Sequence, residues 1–248
     1  MLNIVIPMAG RGSRFQEAGY TFPKPLIDVN GKTMIEVVID NLRPTCDYRF
    51  TFICQREHYE KYDLYHILQN ATKNKFEVVQ INGITEGAAC TVLTAAQYID
   101  NDDDLFIANS DQFIDIKIDD FIEAGRKDKK DGLIMIFKAS HPKWSYARVD
   151  ESGKVMEVAE KKLISDKATV GIYYFSKGSD FVRGAKQMIE QNIRTNNEFY
   201  VCPVYNELIL EDKNIYIYDI PAEKMHGMGT PEDLNAFSEF VKEKGIKL

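Results

Sequence analysis

Three stretches of this 248-residue chain carry residue types suited to handling phosphate. The first is Ile6-Pro7-Met8-Ala9-Gly10-Arg11-Gly12-Ser13-Arg14-Phe15. Small residues let backbone N–H groups approach phosphate oxygens closely, and Arg14 offers a planar donor fork suited to a triphosphate. The second is Phe22-Pro23-Lys24-Pro25-Leu26. A lysine between two prolines has a restricted backbone, which suits a cation that must be positioned before charge develops on an α-phosphate. The third is Leu105-Phe106-Ile107-Ala108-Asn109-Ser110-Asp111-Gln112, an apolar run ending in a polar tip. A carboxylate at the end of a central strand, beside a triphosphate, is well placed to hold Mg²⁺. Plainer readings exist for each: a tight turn with a solvated arginine, a surface lysine in a rigid turn, and an Asx turn. The glycine spacing matches neither GxGxxG nor GxxxxGK[ST], which argues against a dinucleotide fold and a P-loop NTPase.

Stepping along the chain, short apolar runs alternate with helix-like segments. Strands are expected at Ile4–Ile6, Phe50–Cys54, Phe76–Gln80, Leu105–Ala108 and Leu133–Phe137. Helices are expected at Met34–Leu42, Tyr59–Leu68, Gly87–Tyr98 and Asp119–Arg126. Strands separated by helices of this length imply right-handed crossovers and a mostly parallel sheet with helices on both faces. After about residue 140 the rhythm becomes β-rich. Tyr146–Val149, Val155–Val158, Thr169–Phe175 and Ile215–Ile220 read as strands, and Phe181–Asn192, Pro203–Leu210 and Pro231–Lys242 as helices. No linker divides the chain, so residues 1–248 read as a single α/β domain, with a nucleotide-binding core over 1–139 and an acceptor-binding and C-terminal part over 140–248.

The formal charge of −7 disfavours nucleic acid as a partner. No apolar run approaches the roughly 20 residues needed to span a bilayer, and no leader pattern opens the chain. Cys46, Cys54, Cys90 and Cys202 have neither CxxC nor zinc-ligand spacing. A cytoplasmic protein without a membrane partner is expected.

Gly10-x-Gly12-x-Arg14 followed by Pro23-Lys24-Pro25 resembles the signature of the sugar-phosphate and small-alcohol-phosphate nucleotidyltransferases. That resemblance implies a Rossmann-like core with a β-rich acceptor-binding extension. It also implies that Met8, Ala9, Gly10, Gly12, Ser13 and Arg14 surround the triphosphate, that Arg14 and Lys24 activate it, and that Asp111 binds Mg²⁺ or Mn²⁺. The segment Thr85-Glu86-Gly87-Ala88 resembles the family's base-recognition region, with Gln80, Asn82, Glu86 and Gly87 as nucleotide contacts; from the residues alone it is a plain helix start. Glu160-Lys161 matches the family's strand-terminal pair, whose Glu contacts the acceptor and whose Lys contacts its phosphate. Thr169 and Gly171 match the following strand. Tyr146, Arg194 and His226 are further candidates on the acceptor side, where ordinary loop packing is the competing reading. Met225-His226-Gly227-Met228-Gly229-Thr230 resembles a family motif whose second metal-binding Asp falls at Gly227, so that carboxylate is absent, and Glu223 or Asp219 could replace it.

The expected reaction is in-line displacement, in which an acceptor phosphate attacks the α-phosphorus of an NTP and pyrophosphate leaves. The Ile-Pro-Met-Ala-Gly loop resembles a side branch of capsular-polysaccharide-associated cytidylyltransferases. The expected partners are therefore CTP and a small phosphorylated substrate, with a sugar-1-phosphate thymidylyl- or uridylyltransferase as the alternative. A nucleotide-binding protein without catalysis and a glycosyltransferase are the rivals from other classes. The β-rich second half offers strand edges for a homodimer interface.

Overall fold

A computed structural model describes all residues from Met1 to Leu248. The elements run β1 (Leu2–Pro7), α1 (Ser13–Glu17), β2 (Asp28–Val29), β3 (Lys32–Thr33), α2 (Met34–Asn41), β4 (Tyr48–Gln55), α3 (Arg56–Lys61), α4 (Leu64–Thr72), β5 (Phe76–Ile81), α5 (Ala88–Leu93) and α6 (Ala96–Ile99). They continue as β6 (Asp104–Ala108), β7 (Gln112–Ile114), α7 (Ile118–Arg126), β8 (Gly132–Lys138), β9 (Ser145–Val149), β10 (Val155–Glu160) and β11 (Lys167–Phe175). The chain closes with α8 (Gly178–Glu190), α9 (Val204–Leu210), β12 (Ile215–Asp219), β13 (Met225–Gly227) and α10 (Pro231–Lys244).

A 9-stranded sheet organises the molecule. β5, β4, β1 and β6 are parallel neighbours, joined by the helical crossovers that the strand–helix alternation implies. β11 then pairs antiparallel with both β6 and β8, and β12 runs parallel to β8. One reversed strand thus stands inside a set that otherwise points the same way. β9 and β10 form an antiparallel pair attached to the start of β11 through Ala168 and Tyr146.

Alternation along the central strands sends side chains to two cores. In β1, Leu2, Ile4 and Ile6 face the core shared with α2, α4, α7 and α10, while Val5 faces the core shared with α5, α8 and α9. β6 divides likewise, with Phe106 and Ala108 on one side and Leu105 and Ile107 on the other. The result is a three-layer α/β fold with helices on both faces, as the sequence pattern implies.

Three local features depart from the sequence expectations. The helix expected over Tyr59–Leu68 is two helices, broken where Asp63 adopts left-handed φ 50°. The helix expected over Gly87–Tyr98 is also two short pieces, with the break at Thr94-Ala95. A short helix, α1, follows the glycine-rich loop directly and has too few apolar positions for periodicity to reveal.

The register of β11 shifts between Thr169 and Tyr173, and Gly171 sits inside that irregularity with φ +89°. A Cβ there would collide with the Asn109 side-chain amide and lie 2.7 Å from Gln112 Oε1. Backbone and space both demand glycine. Gly171→Ala is therefore expected to destabilise the fold by ~2 kcal/mol or more, read as a lowered thermal midpoint. A midpoint equal to that of the parent would show that the strand relaxes freely at this bulge.

Candidate active site

The glycine-rich loop leaves the C-terminal end of β1. Met8 N–H donates to the Ile53 carbonyl at 2.9 Å, extending the β1–β4 ladder by one residue and burying Met8 and Ala9. Gln55, at the end of β4, donates through Nε2 to the Ala9 and Gly83 carbonyls, both at 2.7 Å. One side chain thus ties the glycine-rich loop to the loop that precedes α5. Gly12 turns the chain with left-handed φ 63° and starts α1. A Cβ on Gly12 would stand 3.2 Å from Lys24 Cβ, so the loop packs directly on the lysine's stem. α1 sends Phe15 into the core and leaves Arg14 lining the cleft.

Pro23 is extended, and Lys24 begins a single 3₁₀ turn closed by Leu26 N–H to the Pro23 carbonyl at 2.8 Å. Lys24 Nζ then reaches Asp111 Oδ2 at 2.8 Å, with only 23% and 19% of the two side chains exposed. Asp111 occupies the turn between β6 and β7. Its carbonyl accepts from Met228 N–H at 2.7 Å, and β7 pairs antiparallel with β13 through Gln112 and Gly227. Asn41 at the end of α2 holds β7 from the other side, exchanging two hydrogen bonds with the Ile114 backbone at 2.8 and 2.9 Å. The carboxylate is therefore fixed by three elements.

Beyond this pair the same cleft opens towards β9, β10 and β11. Glu160 closes β10, accepts a hydrogen bond from the Ser145 hydroxyl and has no cationic partner. Burial pushes its carboxyl above the usual range, against the smaller opposing effects of Ser145 and Lys161. Lys161 Nζ donates to Tyr200 Oη at 2.5 Å, and Tyr200 in turn donates to Glu198. Lys143 lies over the Trp144 ring at 4.7 Å and forms part of the cleft wall. The cleft thus offers the cations Arg14, Lys143 and Lys161 together with the carboxylates Asp111, Glu160 and Asp233.

Such a cleft suits a polyphosphate at one end and a small anion at the other, and the comparisons with known proteins agree with it. A family model described as nucleotidyl transferase matches residues 4–242. The chain belongs to the nucleotidyl transferase family. A nucleoside-diphosphate-sugar pyrophosphorylase structure from Vibrio cholerae superposes with TM-score 0.82 at 27% identity, covering 95% of this chain and 99% of that one. A putative glucose-1-phosphate thymidylyltransferase from Bacillus anthracis has TM-score 0.79 at 17% identity, covering 100% of this chain and 97% of that one, and shares the fold. Among curated proteins, a 2-aminoethylphosphonate cytidylyltransferase from Lancefieldella rimae is 28% identical over 95% of this chain and 91% of its own length. The bifunctional protein GlmU of Methanocaldococcus jannaschii is 23% identical over 98% of this chain, which spans 55% of the length of that relative. This chain is a nucleotidyltransferase.

The transferase brings Arg14, Asp111, Glu160, Lys161, Thr169 and Gly171 onto one cleft, with Lys24 joined to it through Asp111. Of the other loop residues, Met8 and Ala9 are buried, and neither they nor Gly10, Gly12 and Ser13 line the cleft. Gln80 is the last residue but one of β5, and Asn82 is exposed in the loop that Gln55 anchors; neither lines the cleft. Glu86 and Arg194 are paired with one another, and the guanidinium lies 4.1 Å above the Phe199 ring. Phe199 N–H and C=O bond to the Glu86 carbonyl and the Ala89 N–H, and a Cβ on Gly87 would collide with this backbone. The segment around Arg194 is therefore stitched to the start of α5 instead of standing open over the acceptor end.

Three of the expected acceptor residues lie outside the cleft: Arg194, held by Glu86, and the pair Tyr146 and His226. Tyr146 is fully buried and donates its hydroxyl to the His141 carbonyl at 2.7 Å, so it supports the Lys143-Trp144 wall from behind. His226 is stacked on Phe240 at 4.0 Å between centroids, with Phe113 and Phe237 nearby. The alternation of β13 is the reason: Gly227 faces the cleft, so its neighbour His226 faces the core. Cleft residues that sequence reasoning missed include Asn109, Gln112, Ser145, Tyr200, Thr230 and Asp233. Asn109 and Gln112 flank Asp111 in sequence, a proximity signal that was available. Ser145 and Tyr200 had none.

His226 gives a direct test of this placement. Burial lowers its pKa below the ordinary 6.5, and Nε2 is buried without a partner. The neutral ring is the form the fold accepts, so its stabilising contribution is complete above pH 6.5 and is lost as pH falls towards the depressed folded value. His226→Phe is expected to gain ~1 kcal/mol at pH 7 by removing the orphaned nitrogen, with a larger advantage at pH 5. Thermal unfolding at the two pH values reads this out. A variant with unchanged stability and a raised acceptor KM would instead return His226 to the binding site.

Proposed function

We propose that this nucleotidyltransferase transfers CMP from CTP to a small phosphorylated or phosphonylated acceptor and releases pyrophosphate. The observation that carries the reading is the Lys24–Asp111 pair beside a cleft that Arg14, Glu160 and Lys161 also line. The 1–139 part would hold the nucleotide and the 140–248 part the acceptor. The named specificity of the Lancefieldella rimae relative, matched over nearly its whole length, supports cytidine and a phosphonate-like acceptor. The sequence branch suggests a role in surface-polysaccharide biosynthesis.

In this mechanism the acceptor's anionic oxygen forms a bond to the α-phosphorus of CTP as the bond to the bridging oxygen of pyrophosphate breaks. Lys24 offsets charge on the α-phosphate oxygens, and Arg14 holds the departing pyrophosphate. Lys161 and Lys143 orient the acceptor's anion, and Glu160 accepts hydrogen bonds from its remaining polar groups. An acceptor phosphate is already ionised near pH 7, so no strong general base is required. The donor chemistry at Asp111 fits a hard divalent cation, because Lys24 engages one carboxylate oxygen and leaves the other free. The missing side chain at Gly229 leaves room beside the oxygen that Lys24 engages, since a Cβ would lie 2.9 Å from Asp111 Oδ2. Bound at Asp111, Mg²⁺ would supply charge neutralisation across the phosphate oxygens.

The second reading, a sugar-1-phosphate thymidylyl- or uridylyltransferase, is favoured by the whole-length likeness to the Vibrio cholerae sugar pyrophosphorylase structure. Glu160 would then accept from sugar hydroxyls. Pyrophosphate release with Mg²⁺, testing each NTP against hexose-1-phosphates, alditol phosphates, phosphorylated amino alcohols and 2-aminoethylphosphonate, separates the two. CTP-dependent release with a non-hexose acceptor is the expected outcome. Release confined to dTTP or UTP with a hexose-1-phosphate would establish the second reading instead. With the active pair in hand, Lys24→Met is expected to lower kcat by about 10²–10³-fold, the usual cost of one donor aimed at developing charge.

A further inference from the structure

Gln55 closes β4 and is half-buried, and its amide nitrogen donates to two carbonyls, Ala9 and Gly83, both at 2.7 Å. The two loops it joins are held very unequally. The glycine-rich loop has its own anchors: Met8 N–H bonds to the Ile53 carbonyl, Met8 and Ala9 are buried, and Gly12 packs on the stem of Lys24. Residues 82–84 are exposed, and the bond from Gln55 to the Gly83 carbonyl is the only hydrogen bond they make. From Thr85 onward the chain is secured again, by Thr85 Oγ1 to the Gly87 carbonyl at 3.0 Å and by Phe199 N–H to the Glu86 carbonyl at 2.8 Å. Gln55 therefore hangs a loosely held segment from a firmly held one. Its amide cannot turn over, because the oxygen would then face two carbonyl oxygens.

Sheet order points to what this segment would meet. β5, β4, β1 and β6 are parallel neighbours, so their C-terminal ends open on one edge, where ligands of such sheets bind. Arg14 follows β1 and Asp111 follows β6, while Glu160 is carried by β10, beyond β6 and β11 in the sheet. An acceptor on the β10 side and phosphates at β1 and β6 leave the ends of β4 and β5 for the nucleoside. Gln55 and residues 82–84 stand there, and Ala88, a few residues further on, lines the cleft. We infer that Gln55 is a positioning residue for the nucleoside: it holds residues 82–84 at a fixed separation from the glycine-rich loop, and so sets nucleotide affinity and discrimination among bases. The inference rests on the reading that the 1–139 part holds the nucleotide, and not on which base is preferred. Without the bridge the segment would spend less time in the binding-competent arrangement, and apparent affinity falls with that fraction.

The test measures binding of CTP, UTP, dTTP and inorganic pyrophosphate to the intact protein by isothermal titration calorimetry, each with Mg²⁺ and without acceptor. Gln55→Met keeps the length of the side chain and removes both donors. It is expected to weaken binding of whichever nucleotide the parent prefers by about tenfold, the scale of two ordinary hydrogen bonds, and to narrow the spread among the three. Pyrophosphate has no base, and the glycine-rich loop keeps its own anchors, so its affinity is expected to stay within about twofold of the parent's. Gln55→Lys restores a donor head able to serve two carbonyls and is expected to restore the spread. Its added charge acts on all three nucleotides alike and cannot produce that recovery. Unchanged nucleotide binding in Gln55→Met would overturn the inference, as would an equal loss for pyrophosphate, the mark of a general structural role. A Gln55→Lys variant as undiscriminating as Gln55→Met would also defeat it. A parent that binds pyrophosphate but no nucleotide would defeat the inference together with the reading beneath it. Preference of the parent for UTP or dTTP would count against the cytidylyl reading alone, because the loss is read on the preferred nucleotide.

Discussion

Lys24 and Asp111 are far apart in the chain, one in a proline-bounded turn and the other at the tip of a central strand, and a 2.8 Å ion pair joins them. Two charges with less than a quarter of their side chains exposed give up much of their hydration, and a pair in that setting is weak evidence for stability as such. Under the proposed function the pair would act as a charge store at a site that receives a polyanion: the lysine would keep the carboxylate from repelling phosphate, and the carboxylate holds the ammonium beside the cleft. Much of the surrounding architecture fixes this contact. Gly12 packs on the stem of Lys24, Met228 holds the Asp111 backbone, and Asn41 clamps the following strand to α2.

The two ends of the cleft are also mechanically joined. Phe199 is woven into the backbone at the start of α5, and the adjoining Tyr200 carries the hydrogen bond to Lys161. The segment around Arg194 therefore connects the start of α5 with Lys161 through a few consecutive residues, the two regions to which the proposed function gives the nucleotide and the acceptor. Gln55 makes a second connection, between the glycine-rich loop and the loop before α5.

Much of the fold was legible in the sequence because alternation and spacing are local properties. β1 shows why: Leu2, Ile4 and Ile6 against Val5 is a period-2 pattern serving two cores. The Lys24 and Asp111 positions were legible for another reason, since prolines around a lysine and a polar tip after an apolar run are unusual local patterns. Contacts between distant segments were not. Nothing in Ser145 or Tyr200 announces that strand pairing will bring them to the cleft. His226 lies next to a cleft-facing residue, and only the pleat of a three-residue strand decides which of the two turns inward.

The reversed strand β11 has a consequence for how the molecule can be assembled. It pairs with β6 on one side and β8 on the other, yet it is made after both. Until residues 167–175 leave the ribosome, those two strands each present an unpaired edge flanked by apolar faces, a template for pairing with another chain. The parallel strands from β1 to β6 also depend on distant connections, a class of topology that forms slowly. Synthesis of the last third of the chain is thus the step that seals the sheet, and a nascent or truncated product ending before β11 would be the form most in need of a chaperone.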